Sequence, residues 1–119
     1  MLKLSHKGLD VYQISINLVE EVYKQTEHFP VNERYVLTNQ LRRAAISVCS
    51  NIAEGCARKS KTEKVRFFEI SRSSLVEIDT QLEISFILQY LQNNHIKELE
   101  SYLERSFMML SKMIEKTKE

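Results

Sequence analysis

The stretch that decides the fold is Gln40–Arg58, QLRRAAISVCSNIAEGCAR. At ~100° per residue, Leu37, Leu41, Ala44, Ala45, Val48 and Ile52 align as one apolar stripe. Gln40, Arg43, Ser47, Asn51, Glu54 and Arg58 form a polar stripe roughly 110° round from it. The side turned away from the apolar stripe still holds Ile46, Ala53 and Ala57 among Asn39, Arg42 and Ser50. A helix that is apolar or small on several flanks packs on more than one neighbour. The segment therefore predicts an interacting helical module, with this helix held between its own bundle and a sister copy.

Outward from that helix, the rest of the chain reads as helical too. Two Gly and one Pro in 119 residues are too few for a β-rich domain, and the length suits one domain, residues 1–119, with its own core. A first helix is expected from about Gly8 to His28, with Val11, Tyr12, Ile14, Leu18, Val19, Val22 and Tyr23 recurring at three and four. Pro30 disfavours a helical Phe29 and ends it. The second helix is expected from an Asn32 N-cap, with Glu33 in its first turn, to about Ala57. Gly55 near its end marks either a loosening terminus or a close helix contact.

Ser60-Lys61-Thr62-Glu63 is a capping-box pattern that opens a third helix, expected to run to about Gln92. Phe67, Phe68, Leu75, Ile78, Leu82 and Phe86 form its core face. Asn93 or Asn94 is expected to cap a fourth helix lined by Ile96, Leu99, Leu103, Phe107, Leu110 and Ile114. Short connections between long helices predict an all-α, antiparallel up-down-up-down four-helix bundle.

Charge is nearly balanced overall, at +1, but unevenly spread: residues 1–31 carry −1, 32–66 carry +5 and 67–119 carry −3. Arg42, Arg43, Arg58, Lys59, Lys61, Lys64 and Arg66 are the candidate phosphate contacts. With no aromatic interleaved among the Arg58–Arg66 cations, contact would be backbone-driven and salt-sensitive rather than based on stacking. The polar stripe Gln40, Arg43, Ser47, Asn51 and Glu54 is expected to meet Arg66, Ser73, Glu77 and Gln81 of the third helix in an interhelix or intersubunit network. In that network Arg43 would pair with Glu77 or Glu54, because a buried charge must be partnered. Ser71-Arg72-Ser73-Ser74 lacks the glycine-rich turn of a phosphate loop and reads as small residues allowing close helix approach.

Other chemistries find no support. His6, His28 and His95 form no metal-ligand pair, and Cys49 and Cys56 lack neighbouring ligands of the right spacing, so no metal or cofactor is expected. The two cysteines sit ~10 Å apart on one helix, too far to bridge, and read as thiols in a reducing compartment. Glu20/Glu21 and Glu98/Glu100 read as solvent faces, so no enzyme is expected. Apolar runs are too short and broken to span a membrane. MLKLSHKGLD lacks a hydrophobic targeting core, so a cytoplasmic protein is expected.

The run Gln40-Leu41-Arg42-Arg43-Ala44-Ala45-Ile46-Ser47, then Asn51-Ile52-Ala53-Glu54-Gly55, then Phe67-Phe68-Glu69-Ile70-Ser71 with Ser74, Leu75 and Glu77 resembles the 23S rRNA intervening-sequence proteins. That superfamily is similar to the accessory variability determinant of diversity-generating retroelements. The resemblance implies a small antiparallel bundle that assembles into a ring, typically a homopentamer. For the retroelement relatives it implies adaptors that bind nucleic acid and a reverse transcriptase. The expectation is therefore a non-enzymatic homo-oligomeric bundle acting as an RNA- or DNA-binding adaptor. The alternative is a structural or protein-binding scaffold with no nucleic-acid role.

Overall fold

The computed structural model describes residues 1–119. Four helices follow one another: α1 (Asp10–Thr26), α2 (Leu37–Ala57), α3 (Lys61–Ile87) and α4 (Asn93–Lys118). Each packs on its sequence neighbour, and α4 returns to α1, which closes the four-helix bundle. Its longest dimension is 43 Å. Leu18, Leu41, Ile52, Leu75, Ile78, Leu99, Leu110 and Ile114 are fully buried on the axis. Burying each such side chain contributes about 1.5–3 kcal/mol, far more than intrinsic helix propensity supplies.

The helix boundaries differ from expectation where local chemistry intervenes. Before α1, Ser5–Gly8 form a 3-10 turn that buries His6 edge-on against Tyr12, with ring centroids 4.7 Å apart. The Asn32 cap does not form. Val31–Glu33 make a second 3-10 turn, and Val36, at φ −118° and ψ −97°, sets the chain direction for a helix that begins at Leu37. The displaced start lets Phe29 and Leu37 both reach the core. Glu33 still serves the helix end: one carboxylate oxygen accepts from the Leu37 amide at 3.5 Å, and the other accepts from the Tyr90 hydroxyl at 2.8 Å. That acceptance holds the Tyr90 phenol above its ordinary range.

α3 starts at the expected Ser60 cap, whose Oγ accepts from the Glu63 amide at 3.1 Å, but the reciprocal half of the capping box does not form: the Glu63 carboxylate pairs with Arg66 instead. It stops at Ile87, short of the expected Gln92, because Gln89 adopts φ 67°. The Gln89 amide donates to Phe86 O at 3.0 Å and the Tyr90 amide donates to Ser85 O at 2.9 Å. These are the paired bonds of a Schellman close, and they turn Leu91 back into the core. Asn93 is the first residue of α4 rather than its cap; Gln92 is the cap, and its amide donates to His95 Nδ1 at 3.1 Å.

Gly55 marks a close contact, not a loose terminus. A Cβ placed there would lie 2.5 Å from Cε1 of the buried Phe68 ring. Gly55→Ala is therefore expected to destabilise the protein by about 1–3 kcal/mol through overpacking. Gln89→Gly, which relieves the left-handed backbone, is expected to stabilise it by about 0.5–1 kcal/mol. Urea denaturation midpoints measure both.

Candidate functional site

The seam between α2 and α3 carries a chain of neutral hydrogen bonds. Gln81 Nε2 donates to Gln40 Oε1 at 3.1 Å, and Ser74 Oγ donates to Ser47 Oγ at 3.1 Å. Asn51 Nδ2 donates to the Ser47 carbonyl at 2.9 Å and to its hydroxyl at 3.0 Å. Deeper in, Ser71 Oγ donates to Val48 O at 2.8 Å. Gln40, Ser47 and Asn51 thus belong to the expected network. Ser73 and Glu77 do not: both are exposed, because the α3 side facing α2 presents Ser74 and Gln81 instead.

Arg43 is paired with neither Glu77 nor Glu54. It is exposed, and Glu54 bridges Arg58 on its own helix at 3.4 Å. The physical reason is that amides and hydroxyls bond across this seam without desolvating a charge, which an ion pair there would require; the one buried seam atom left unpartnered is Gln81 Oε1. Ser71 and Ser74 are buried as the close-approach reading predicts.

Five of the seven candidate cations have a partner within the protomer; Arg42 and Lys64 fasten helix ends, Lys61 meets Glu119, and Arg58 and Arg66 make local exposed pairs. Arg42 Nε donates to Thr26 Oγ1 at 2.9 Å and a terminal nitrogen donates to Tyr23 O at 3.4 Å. Its guanidinium lies 4.4 Å from the Tyr23 ring centroid, so it ties α2 to the last turn of α1 and complements that helix dipole. Lys64 Nζ donates to Gly55 O and Cys56 O, at 3.4 and 3.1 Å, which satisfies terminal carbonyls of α2. Lys61 Nζ donates to the Glu119 main-chain oxygen at 2.6 Å.

Arg58 pairs with Glu54 and Arg66 with Glu63, each at 3.4 Å. Both guanidiniums also lie over Phe67, at 4.8 and 5.2 Å. An aromatic therefore does sit among these cations, although its faces are covered by Arg rather than open to a base. Arg43 and Lys59 make no hydrogen bond or ion pair within the protomer and are exposed. Exposed pairs such as Arg58–Glu54 contribute only ~0–1 kcal/mol, so a phosphate can replace the carboxylate at little cost.

The seven cations do not form one patch. Arg42 and Arg58 are ~24 Å apart along α2. Antiparallel packing instead gathers a different set at the end where α2 and α4 finish and α1 and α3 begin. A shallow cleft there is lined by Lys61, Arg66 and Lys118. The half of the bundle built from residues 1–17, 48–74 and 106–119 holds eleven Lys and Arg against six Asp and Glu, a net +5. The other half holds six against ten, a net −4. The lysines Lys3, Lys7, Lys112, Lys116 and Lys118 are the part that reading by sequence segment missed; the antiparallel topology was the signal that could have found them.

Cys49 is buried, with Sγ 3.2 Å from Ser15 Oγ, and burial raises its thiol pKa; burial also raises that of half-buried Cys56. No group of three or more His, Cys, Asp or Glu is placed to hold a metal ion. No helix is long and apolar enough to cross a membrane.

A four-helix bundle with a bonded α2–α3 seam and one basic end defines a class of small helical module. Residues 7–112 match the profile of the 23S rRNA-intervening sequence protein family, and the chain belongs to that family. Among solved structures it is similar to a protein of unknown function from the S23 ribosomal protein family of Bacteroides thetaiotaomicron VPI-5482. The two share 20% identity with a TM-score of 0.76, covering 87% of this chain and 97% of that one, a likeness of fold. No curated protein matches the sequence.

Arg42→Ala is expected to destabilise the protein by about 1.5–3 kcal/mol, the scale of hydrogen bonds from a charged group. Arg43→Ala is expected to leave an isolated protomer within about 0.5 kcal/mol of wild type; thermal melts of dilute protein distinguish the two. Alkylation at pH 8 is expected to modify Cys56 slowly and Cys49 only as fast as the bundle opens, which mass spectrometry of timed samples reads directly.

Proposed function

We propose that this protein is a non-enzymatic, self-assembling cytoplasmic bundle that acts as an adaptor for RNA or DNA, held by its phosphates at the basic end. The observation that carries the reading is the axial charge separation, +5 in one half against −4 in the other. A protomer of net +1 has no useful global field, but a concentrated basic end attracts polyanions locally. Lys59 projects from the α2–α3 turn without a partner, and Arg58, Lys61 and Arg66 stand beside it in exposed positions. Assembly would multiply this end several-fold through avidity. By resemblance to the family the assembly is a homopentamer, and a reverse-transcriptase-like protein is a candidate second partner. Lys64 and Arg42 are structural in this reading, since both are spent on helix ends.

The second reading, a protein-binding scaffold with no nucleic-acid role, is favoured by one observation. An apolar groove of about 430 Å³ opens between α3 and α4, lined by Leu75, Val76, Leu103, Phe107 and Met108 with no Lys or Arg among its lining residues.

Titration of a ribosomal RNA fragment at two salt concentrations separates the readings. Phosphate-led binding is expected to weaken as salt rises, with a log–log slope of about −0.7 to −0.9 per phosphate neutralised. Replacing Lys59, Lys116 and Lys118 together by Glu is expected to abolish it, while Lys97→Glu at the opposite end leaves it nearly unchanged. Absence of binding at low salt would remove the adaptor reading and leave the scaffold.

A further inference from the structure

We infer that two different surfaces of this chain fit each other, so that the outer face of α2 in one copy docks into the α3–α4 groove of the next. The inference rests on the self-assembly reading above and specifies its contacts. The first surface is a straight stripe. Arg43, Ile46, Ser50, Ala53 and Ala57 follow one another at steps of three and four on the side of α2 that its own bundle leaves open. That spacing is the seam pattern of paired helices. Ile46 is 44% exposed, and the small residues after it let a second backbone come close. Arg43, one turn from Ile46 on the same face, has no acid partner in its own protomer.

The second surface supplies what the first lacks. The groove has buried Leu75 in its floor and Val76, Phe107 and Met108 as walls. Val76 is 53% and Met108 58% exposed, high for apolar side chains beside a core. Asp79 and Glu104 stand in the same lining, and neither is ion-paired. An apolar knob with a neighbouring guanidinium therefore meets an apolar socket with two carboxylates. Charge complementarity of this kind fixes register and excludes wrong partners. Both halves lie on one chain, so the occupant is a second copy. Because the two surfaces differ, the contact is heterologous, and repeating it gives a closed ring wherever the rotation closes.

Light scattering and sedimentation equilibrium test this on the full chain, whose monomer is 14.0 kDa. Wild type is expected above that mass. Arg43→Glu is expected to reduce it to monomer, as is the pair Asp79→Lys with Glu104→Lys, each with wild-type helical circular dichroism. Combining all three substitutions is expected to restore assembly, and mixing the two monomeric variants is expected to restore association above monomer mass without a closed odd-numbered ring; a merely destabilised fold would do neither. Ile46→Asp, which leaves every native charge in place, is expected to give monomer as well. Variants that assemble like wild type would overturn these surfaces while leaving self-assembly standing. A wild type that stays monomeric at all concentrations would overturn the assembly reading too.

Discussion

The contact between Gly55 and Phe68 sets the distance between α2 and α3, and much of the molecule depends on that distance. With no Cβ at Gly55 the ring lies against the helix backbone. The helices are then close enough for Ser71 to donate to the Val48 carbonyl and for Ser74 to meet Ser47. These bonds are neutral. They leave the charged residues of both helices at the surface, which is where a module that works by contact needs them. A bulkier residue at position 55 would separate the helices, and the seam would lose buried hydrogen bonds that water cannot replace.

Helix ends are the second constraint. Termini of a bundle leave amides and carbonyls without partners, and this chain satisfies several with long side chains. Arg42 reaches the close of α1, Lys64 the close of α2 and Glu33 the start of α2. The carbonyls closing α3 are met by its own backbone through Gln89 and Tyr90. A cation spent in this way is not available to a phosphate. The distinction matters for any basic protein of this size, because counting Lys and Arg along the sequence cannot separate fastening residues from free ones.

The four helices and most of the core were legible in the sequence because burial follows the helical period, although Phe86 and Phe107, read onto core faces, prove 42% and 41% exposed. Leu41, Ile52, Leu75, Ile78, Leu99, Leu110 and Ile114 all lie where that period puts them. The Ser60 cap was legible because its chemistry is local. Other boundaries were not. The start of α2 depends on how Phe29 and Leu37 reach one core, and the end of α3 on a left-handed Gln89, a conformation that a non-glycine residue does not advertise. Within the polar stripe, Gln40, Ser47 and Asn51 could be read correctly as a seam. The partner of Arg43 could not, since which α3 residues face α2 depends on how α3 is rotated in the bundle. The basic end was hidden for a different reason: its lysines come from three separated segments that only the fold brings together.

These constraints give α2 two distinct sides. Its inner side is closed by α1 and α3, with Leu41, Ala45, Val48 and Ile52 fully buried. Its outer side, with Ile46 and the small residues beyond it, is shaped for a second helix-bearing surface and has none within the protomer. The most direct measurement is the alkylation rate of a thiol placed there, using Ile46→Cys in a chain with Cys49→Ala and Cys56→Ala. The account predicts fast reaction in dilute protein and strong protection in concentrated protein, as a neighbouring copy covers the site. A rate that stays equal to that of an open thiol at every concentration would contradict it.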